Sequence, residues 1–277
     1  MTATAVSPNQ DAIRHVFDRL SGRYDLFNCL TSMGLDTIWR RKALGMVKTG
    51  MRILDLGCGT GDLMIEAARR LQGRGEVVGL DFSKEMLNIA KRRAADSGCQ
   101  QGVLLRFEHR RAEEIPFEDE GYDLAVSGFV LRNIYENIDE ILGGVFQSLR
   151  SGGQISFLDF TEPPGPVRKK LWHWYMNHVA AFYGKILFGE NFPLFYMTDS
   201  AQRFLKAPEF MQQLRETGFE EVTAQKFMMG IIVLYRAKKP AVATNPGHCE
   251  TQRDEAILST KIASSPAAPR NDSERRY

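Results

Sequence analysis

The chain has 277 residues, 43% of them hydrophobic and 25% charged, with a formal net charge of +2 at pH 7. That length allows one large core with an insert and a tail, and the near-neutral balance gives no electrostatic case for a nucleic-acid partner. Cys29, Cys58, Cys99 and Cys249 form no C-x-x-C pair, so a reduced, cytoplasmic protein without structural zinc is expected. The opening "MTATAVSPNQDAIRHVF" lacks an apolar core behind a basic patch, which argues against a signal peptide. No run approaches the roughly 18 apolar residues that span a bilayer.

From Met51 the apolar residues alternate between strand and helix periodicity. "MRILDLG" reads as a buried strand and "DLMIEAARRL" as a helix with Leu63, Ala67 and Leu71 on one face. "EVVGLDFS" is the next strand, and Ser83 stands where an N-cap belongs before "KEMLNIAKRRA". "LLRFEHRR" and "YDLAVSGF" supply a third and a fourth strand. "IDEILGGVFQSLRSGG" predicts a helix stopped by Gly152 and Gly153, and "QISFLDFTEP" a fifth strand. An aromatic-rich insert follows, "PVRKKLWHWYMNHVAAFYGKILFGENFPLFYM", then a helix in "EFMQQLRETGF" and two closing strands in "EEVTAQKFMMGIIVLYRAKK". The alternation predicts an α/β fold: a doubly wound, mostly parallel, seven-stranded sheet with helices on both faces. Four of the eleven prolines lie from Pro240 onward, where Tyr277 is the lone aromatic, so residues 240–277 are expected to form a disordered tail.

The turn after the first strand, "GCGTG", places Gly57, Gly59 and Gly61 within five residues. A dinucleotide fingerprint would need glycine at position 62, which is Asp62. A pyrophosphate at a helix N-terminus wants positive potential, yet Asp55 and Asp62 bracket this loop. Two carboxylates suit a phosphate-free ligand that carries positive charge, and S-adenosylmethionine is one, with its sulfonium and ammonium. Asp81 closes the second strand, 24 residues after Gly57, where an acid accepts hydrogen bonds from ribose hydroxyls. "RRAEEIPF", with Arg111 and Ala112, follows the third strand, where an adenine edge would be met. These groups all fall at carboxyl ends of strands, where such sheets bind ligands. The expected cofactor set is Asp55, Gly57, Gly59, Thr60, Gly61, Asp81, Phe82, Arg111, Ala112, Ser127 and Gly128.

"LDLGCGTGD", "GLDFSKEML" and "SLRSGGQISFLDF" resemble the Class I S-adenosylmethionine-dependent methyltransferases. Two further stretches narrow the resemblance. "VFDRLSGRYDLFNCLTSMGLDTIWRRKAL" is similar to the N-terminal signature of the ubiquinone/menaquinone biosynthesis C-methyltransferases, through Tyr24, Asp25, Asn28, Ser32, Gly34, Trp39 and Arg40. "SGFVLRNIYENIDEIL" resembles that family's stretch after the fourth strand, with Leu131, Arg132 and Asn133 as its Leu-Arg-Asn triplet. Departures occur: Val130 stands at the family's glycine, and Asp159-Phe160-Thr161 at its usual Glu-Phe-Ser. The resemblance runs over about residues 12–239. It implies one methyltransferase domain (1–239) with an N-terminal helical cap (12–45) and a lid insert (166–200).

What the resemblance implies chemically is transfer of a methyl group to a ring carbon of a prenylated hydroquinone. Tyr24, Asp25, Arg132 and Asn133 are then the candidates for acceptor contacts. A guanidinium at Arg132 would stabilise a hydroquinone anion, while water or Asp25 takes the proton, because arginine stays protonated. The plainer alternative is that Arg132 pairs with Asp25 or Asp159 to pin the N-terminal segment. Trp39 and Phe27 read as packing. The insert's Trp172, Trp174, Tyr175, Phe182 and Tyr183 read as a lid core, compatible with an apolar channel whose mouth rests on a membrane beside Arg168, Lys169, Lys170 and Lys185. The histidines have no metal-ligand spacing. Rival readings are a methyltransferase acting on a phenol, polyketide or sterol, a dehydrogenase, and a non-catalytic binder of the cofactor. The sequence leaves open naphthoquinol versus benzoquinol, and the oligomeric state.

Overall fold

The computed structural model of the chain describes residues 22–23, 25–116, 121–189, 204 and 206–241. Tyr24, the end of the insert and the tail from 242 onward lie outside these residues.

Seven strands form one sheet in the order β3-β2-β1-β4-β5-β7-β6: β1 Arg52–Leu56, β2 Gly75–Asp81, β3 Val103–His109, β4 Tyr122–Gly128, β5 Leu149–Phe160, β6 Glu220–Phe227 and β7 Ile232–Lys238. The first five pair in parallel, and β7 runs antiparallel between β5 and β6. The doubly wound sheet expected from the alternation is therefore present. Strand order reverses between β1 and β4, and such a switch point opens a crevice at the carboxyl ends of the strands.

Successive side chains along a strand point to opposite faces, so each buried strand feeds two cores. Ile53 packs with Leu63, Met64 and Ala67 of α2 (Asp62–Leu71) and with Leu87 and Ala94 of α3 (Lys84–Ser97). Leu54 and Leu56 pack on the other face with Ile138, Ile141 and Leu142 of α4 (Ile138–Ser148) and with Phe210 and Leu214. Ser83 caps α3 as its position predicts, its hydroxyl accepting from the Met86 amide at 3.1 Å.

One boundary differs from the sequence expectation. The helix that Gly152 and Gly153 were expected to stop ends at Ser148, and both glycines lie within β5. The β4–β5 register shifts between Tyr122 and Leu124. A Cβ on Gly153 would stand 2.9 Å from the Arg150 carbonyl and 3.0 Å from that of Tyr122. The glycine serves a close backbone approach in an irregular strand, not a helix cap.

Two additions join the sheet, the first laying Trp39 and Ala43 on Leu158 of β5 and Leu234 of β7. The helical stretch 25–32 and α1 (Leu35–Ala43) form the cap. After β5 come α5 (Pro166–Tyr175), a π-helical turn (Met176–Ala180) and α6 (Ala181–Phe188). Phe27, Trp172, Met176 and Ala180 bury one another in a small core of their own, and the Tyr175 hydroxyl donates to the Thr31 carbonyl. Cap and insert are thus packed together.

Candidate active site

The glycine turn is built by steric necessity at Gly57. Its φ is 66°, and a Cβ there would come within 2.5 Å of a Val130 methyl. The turn is tied to β2 by the Gly59 amide, which donates to Asp81 Oδ2 at 2.8 Å, while Asp81 Oδ1 accepts from the Ser83 amide at 2.8 Å. Around it runs a crevice lined by Asp25, Arg40, Asp55, Gly57, Gly59, Thr60, Asp62, Asp81, Phe82, Arg111, Ala112, Gly128, Phe129, Val130 and Asn133, among others.

Asp55 gives this crevice its electrostatic character. It is fully buried. Burial pushes its pKa up to about 8; Arg40 and a backbone hydrogen bond from Met64 oppose the rise, while Asp81 and Asp62 add to it. Burial outweighs these contacts, so the folded chain alone keeps the carboxyl protonated. A ligand that brings a positive charge would complete it, and a diphosphate would not.

A second cavity of about 290 Å³ lies beyond Phe129, which lines both. Phe27, Trp39, Phe160, Trp172, Tyr175 and Met176 make its walls, with Ile231 and Ile232 at the start of β7. Polar groups also reach it: Asn28, Thr31, Ser32, Asp36 and Arg168 line it, with Arg132, 3% exposed and held by its amide and guanidinium to Asp159 at 3.1 and 3.0 Å, and to the Phe129 carbonyl at 3.1 Å. The guanidinium lies over the Phe160 ring, 4.9 Å from its centroid. Burial raises the Asp159 carboxyl above the ordinary range, against the Arg132 charge and the amides of Phe160 and Arg132. Phe129 has a left-handed φ of 66°, a conformation costing about 1–3 kcal/mol for a bulky residue. Its amide bond to the Leu158 carbonyl and its ring contact with Phe160 hold it there.

Most of the sequence-expected residues line one of the two cavities. Ser127 does not face the crevice: it is fully buried and its hydroxyl donates to the Leu56 carbonyl at 2.9 Å, tying β4 to β1. Gly61 shapes the turn as the residue before α2, its amide donating to the Cys58 carbonyl, and does not line it. Of the expected acceptor contacts, Arg132 opens on the apolar cavity and pairs with Asp159, whereas Asp25 and Asn133 line the crevice, Asp25 bonded to Thr60 and Arg93. Tyr24 lies outside the described residues. Sequence reasoning missed Phe129 and Arg93. Phe129 gives no signal, because a left-handed aromatic looks like any core residue; Arg93 is one charge among several in the sequence of α3.

The sheet order and the acid-rimmed turn at its switch point are those of a Class I methyltransferase that uses S-adenosylmethionine. The model of the ubiE/COQ5 methyltransferase family matches residues 5–239, and the chain belongs to that family. It is 34% identical over 238 residues to the ubiquinone/menaquinone biosynthesis C-methyltransferase UbiE of Geobacter sp. strain M21, covering 85% of this chain and 99% of that one. It is 29% identical over 231 residues to the demethylmenaquinone methyltransferase of Lactiplantibacillus plantarum, covering 83% and 96%. Among solved structures, a possible histamine N-methyltransferase from Thermotoga maritima shares the fold, with a TM-score of 0.55 at 18% identity over 82% of this chain and 99% of that one.

Proposed function

We propose that the chain methylates a ring carbon of a prenylated hydroquinone in quinone biosynthesis: demethylmenaquinol, the 2-polyprenyl-6-methoxy-1,4-benzoquinol, or both. The observation that carries this reading is the apolar cavity walled by aromatics, sharing Phe129 with the cofactor crevice and holding one buried guanidinium. The names of the relatives point to the same substrates.

S-adenosylmethionine supplies an electrophilic methyl group on a sulfonium when bound. Asp55 faces its positive charge, Asp81 its ribose, and the Arg111–Ala112 stretch its base, in this reading. Phe27, Trp39, Phe160 and Trp172 hold a flat ring and exclude water; positioning of this kind is worth roughly 7–11 kcal/mol at its best. Arg132 donates a hydrogen bond toward a ring hydroxyl oxygen and stabilises negative charge as it develops there. Asp159 fixes the guanidinium and keeps the pair neutral overall. The hydroxyl proton passes to water or to Asp36, which lines the hollow, because Arg132 does not release a proton; the methylated carbon then gives up its own proton as the oxygen regains one, which restores the aromatic ring.

The same reading places the mouth of the hollow at a membrane. Val167, Leu171, Trp174, Phe182 and Ile186 of the insert are between 51% and 79% exposed, with Lys169, Lys170 and Lys185 on the same helices. Exposed apolar residues flanked by lysines suit a peripheral contact through which a polyprenyl tail reaches the ring site. No helix among the described residues is long and apolar enough to cross a membrane.

The test is a methyl-transfer assay of purified protein with labelled S-adenosylmethionine against demethylmenaquinol, a polyprenyl benzoquinol and short phenols, with product masses recorded. Label on the ring carbon of a quinol supports the reading, and methylation of short phenols alone overturns it. Calorimetry of Asp81→Ala, expected to bind the cofactor more than about tenfold more weakly, tests the ribose role independently of any acceptor.

A further inference from the structure

The wall between the cap and the glycine turn contains an arginine that touches neither cavity described above. Arg93, on the side of α3 that faces the glycine turn, donates from Nη1 to Asp25 Oδ2 at 2.8 Å and to the Thr60 carbonyl at 2.9 Å. Its Nη2 donates to Asp62 Oδ1 at 2.7 Å. Asp25 in turn accepts from the Thr60 hydroxyl at 2.8 Å. One guanidinium therefore joins three separate stretches of chain: the helical cap, the glycine turn and the first residue of α2.

The geometry suits arginine specifically. A planar fork satisfies two carboxylates and a carbonyl at once, which a single ammonium point charge does not. Asp25 and Asp62 would repel each other without a cation between them; Arg93 supplies it, and Arg40 approaches Asp62 from the far side at 3.6 Å. Three of the groups gathered here, Asp25, Thr60 and Asp62, line the cofactor crevice. Two residues further along the same helical stretch, Phe27 and Asn28 line the acceptor hollow. A stability role alone does not account for the arrangement. Arg93 is 38% exposed, and ion pairs of that kind contribute about 0–1 kcal/mol.

We propose that Arg93 is a positioning residue, a clasp that closes the N-terminal cap on the glycine turn and so links cofactor binding to the shape of the acceptor hollow. This rests on the crevice being the S-adenosylmethionine site. With the clasp fastened, the Thr60 carbonyl and the Asp25 carboxylate are fixed in the crevice wall before the cofactor arrives. Without it, cofactor binding must also order the cap, and affinity falls by the cost of that ordering.

The experiment measures S-adenosylmethionine affinity by calorimetry for wild type, Arg93→Met and Arg93→Lys. Limited proteolysis of the cap is followed with and without the cofactor. Arg93→Met keeps the stem and removes the fork; its affinity is expected to fall roughly tenfold, and the cofactor should no longer protect the cap from cleavage. Arg93→Lys should fall between. Salt near 1 M, where screening acts within about 3 Å, should weaken wild-type binding more than that of Arg93→Met. Wild-type affinity and protection in Arg93→Met, with only a lower melting temperature, would overturn the clasp. If Arg93→Met does not fold, Asp25→Asn must show the same paired loss, and unchanged protection there overturns the proposal equally. Wild-type protein that binds no S-adenosylmethionine refutes the cofactor reading itself, a result distinct from either.

Discussion

The cofactor crevice and the acceptor hollow share Phe129 and yet are built in opposite ways. The crevice is made of strand ends and one turn, so its groups are backbone amides and short acids fixed by the sheet. Asp55 stands one strand away from Asp81, and the Gly59 amide bridges the turn to β2. The hollow takes its walls from the cap, the loop after β4, the insert and the approach to β7. Side chains from four places must arrive together, and Arg132 with Asp159 anchors them. The crevice rests on the sheet; the second cavity is assembled from additions to it. If this contrast holds, damage to the hollow should register mainly as lost stability and turnover, and damage to the crevice as lost cofactor affinity.

The sharpest way to break the contrast is to remove Asp159. It is fully buried against Arg132, itself 3% exposed, and an arginine left in that position without its carboxylate is an uncompensated buried charge. Asp159→Ala is expected to lose about 3–5 kcal/mol of stability, measured by urea unfolding. Any variant protein that remains folded should bind S-adenosylmethionine nearly as wild type does, with turnover depressed. A loss of cofactor affinity comparable to the loss of stability would show that the two regions are not separable.

These regions were not equally legible in the sequence. The crevice could be read because its chemistry is local: Gly57, Gly59 and Gly61 with Asp55 and Asp62 fall within eight residues, and Asp81 ends the next strand. Register between parallel strands then brings Asp55 and Asp81 to the same edge without further information. Ser127 was misplaced because strand alternation leaves a polar residue beside the crevice free to turn inward, which it does to meet Leu56. The hollow was visible only as an excess of aromatics and as a family resemblance. Phe27 and Ile232 line one cavity across more than two hundred residues, and no periodicity records such a contact. The choice between Asp25 and Asp159 as partner of Arg132 also needed coordinates, since both acids are plausible until the loop after β4 is seen to fold back on β5.

Acidity offers a test on the crevice side. The Asp55 carboxyl titrates near pH 8 in the folded chain, against about 3.9 when unfolded. The folded state therefore holds the proton more tightly, and the stability this gives is complete below about pH 4 and lost as pH rises toward 8. Binding of a cation favours the carboxylate and releases that proton. Apparent affinity for S-adenosylmethionine should thus rise by up to about tenfold per pH unit from about pH 6 to 8 and then level. Asp55→Asn, compared with wild type in the same buffers, should remove that component of the slope. An identical pH profile in both proteins would take Asp55 out of contact with the ligand's charge.

The smallest effect bears on the boundary between sheet and site. Ser127 lies beside crevice-lining Gly128, yet its hydroxyl is spent on the Leu56 carbonyl inside the sheet. Ser127→Ala leaves that carbonyl to its ladder partners and removes one buried hydroxyl together with its bond, so the expected cost is about 1 kcal/mol of stability. Cofactor affinity should stay within about twofold, because no group facing the crevice has changed. A drop in affinity larger than the drop in stability would mean that the strand end itself yields when β4 and β1 lose this tie. In that case the crevice owes its rigidity to side-chain bonds behind it as well as to the sheet ladder, as the Arg93 contacts already imply for the opposite wall.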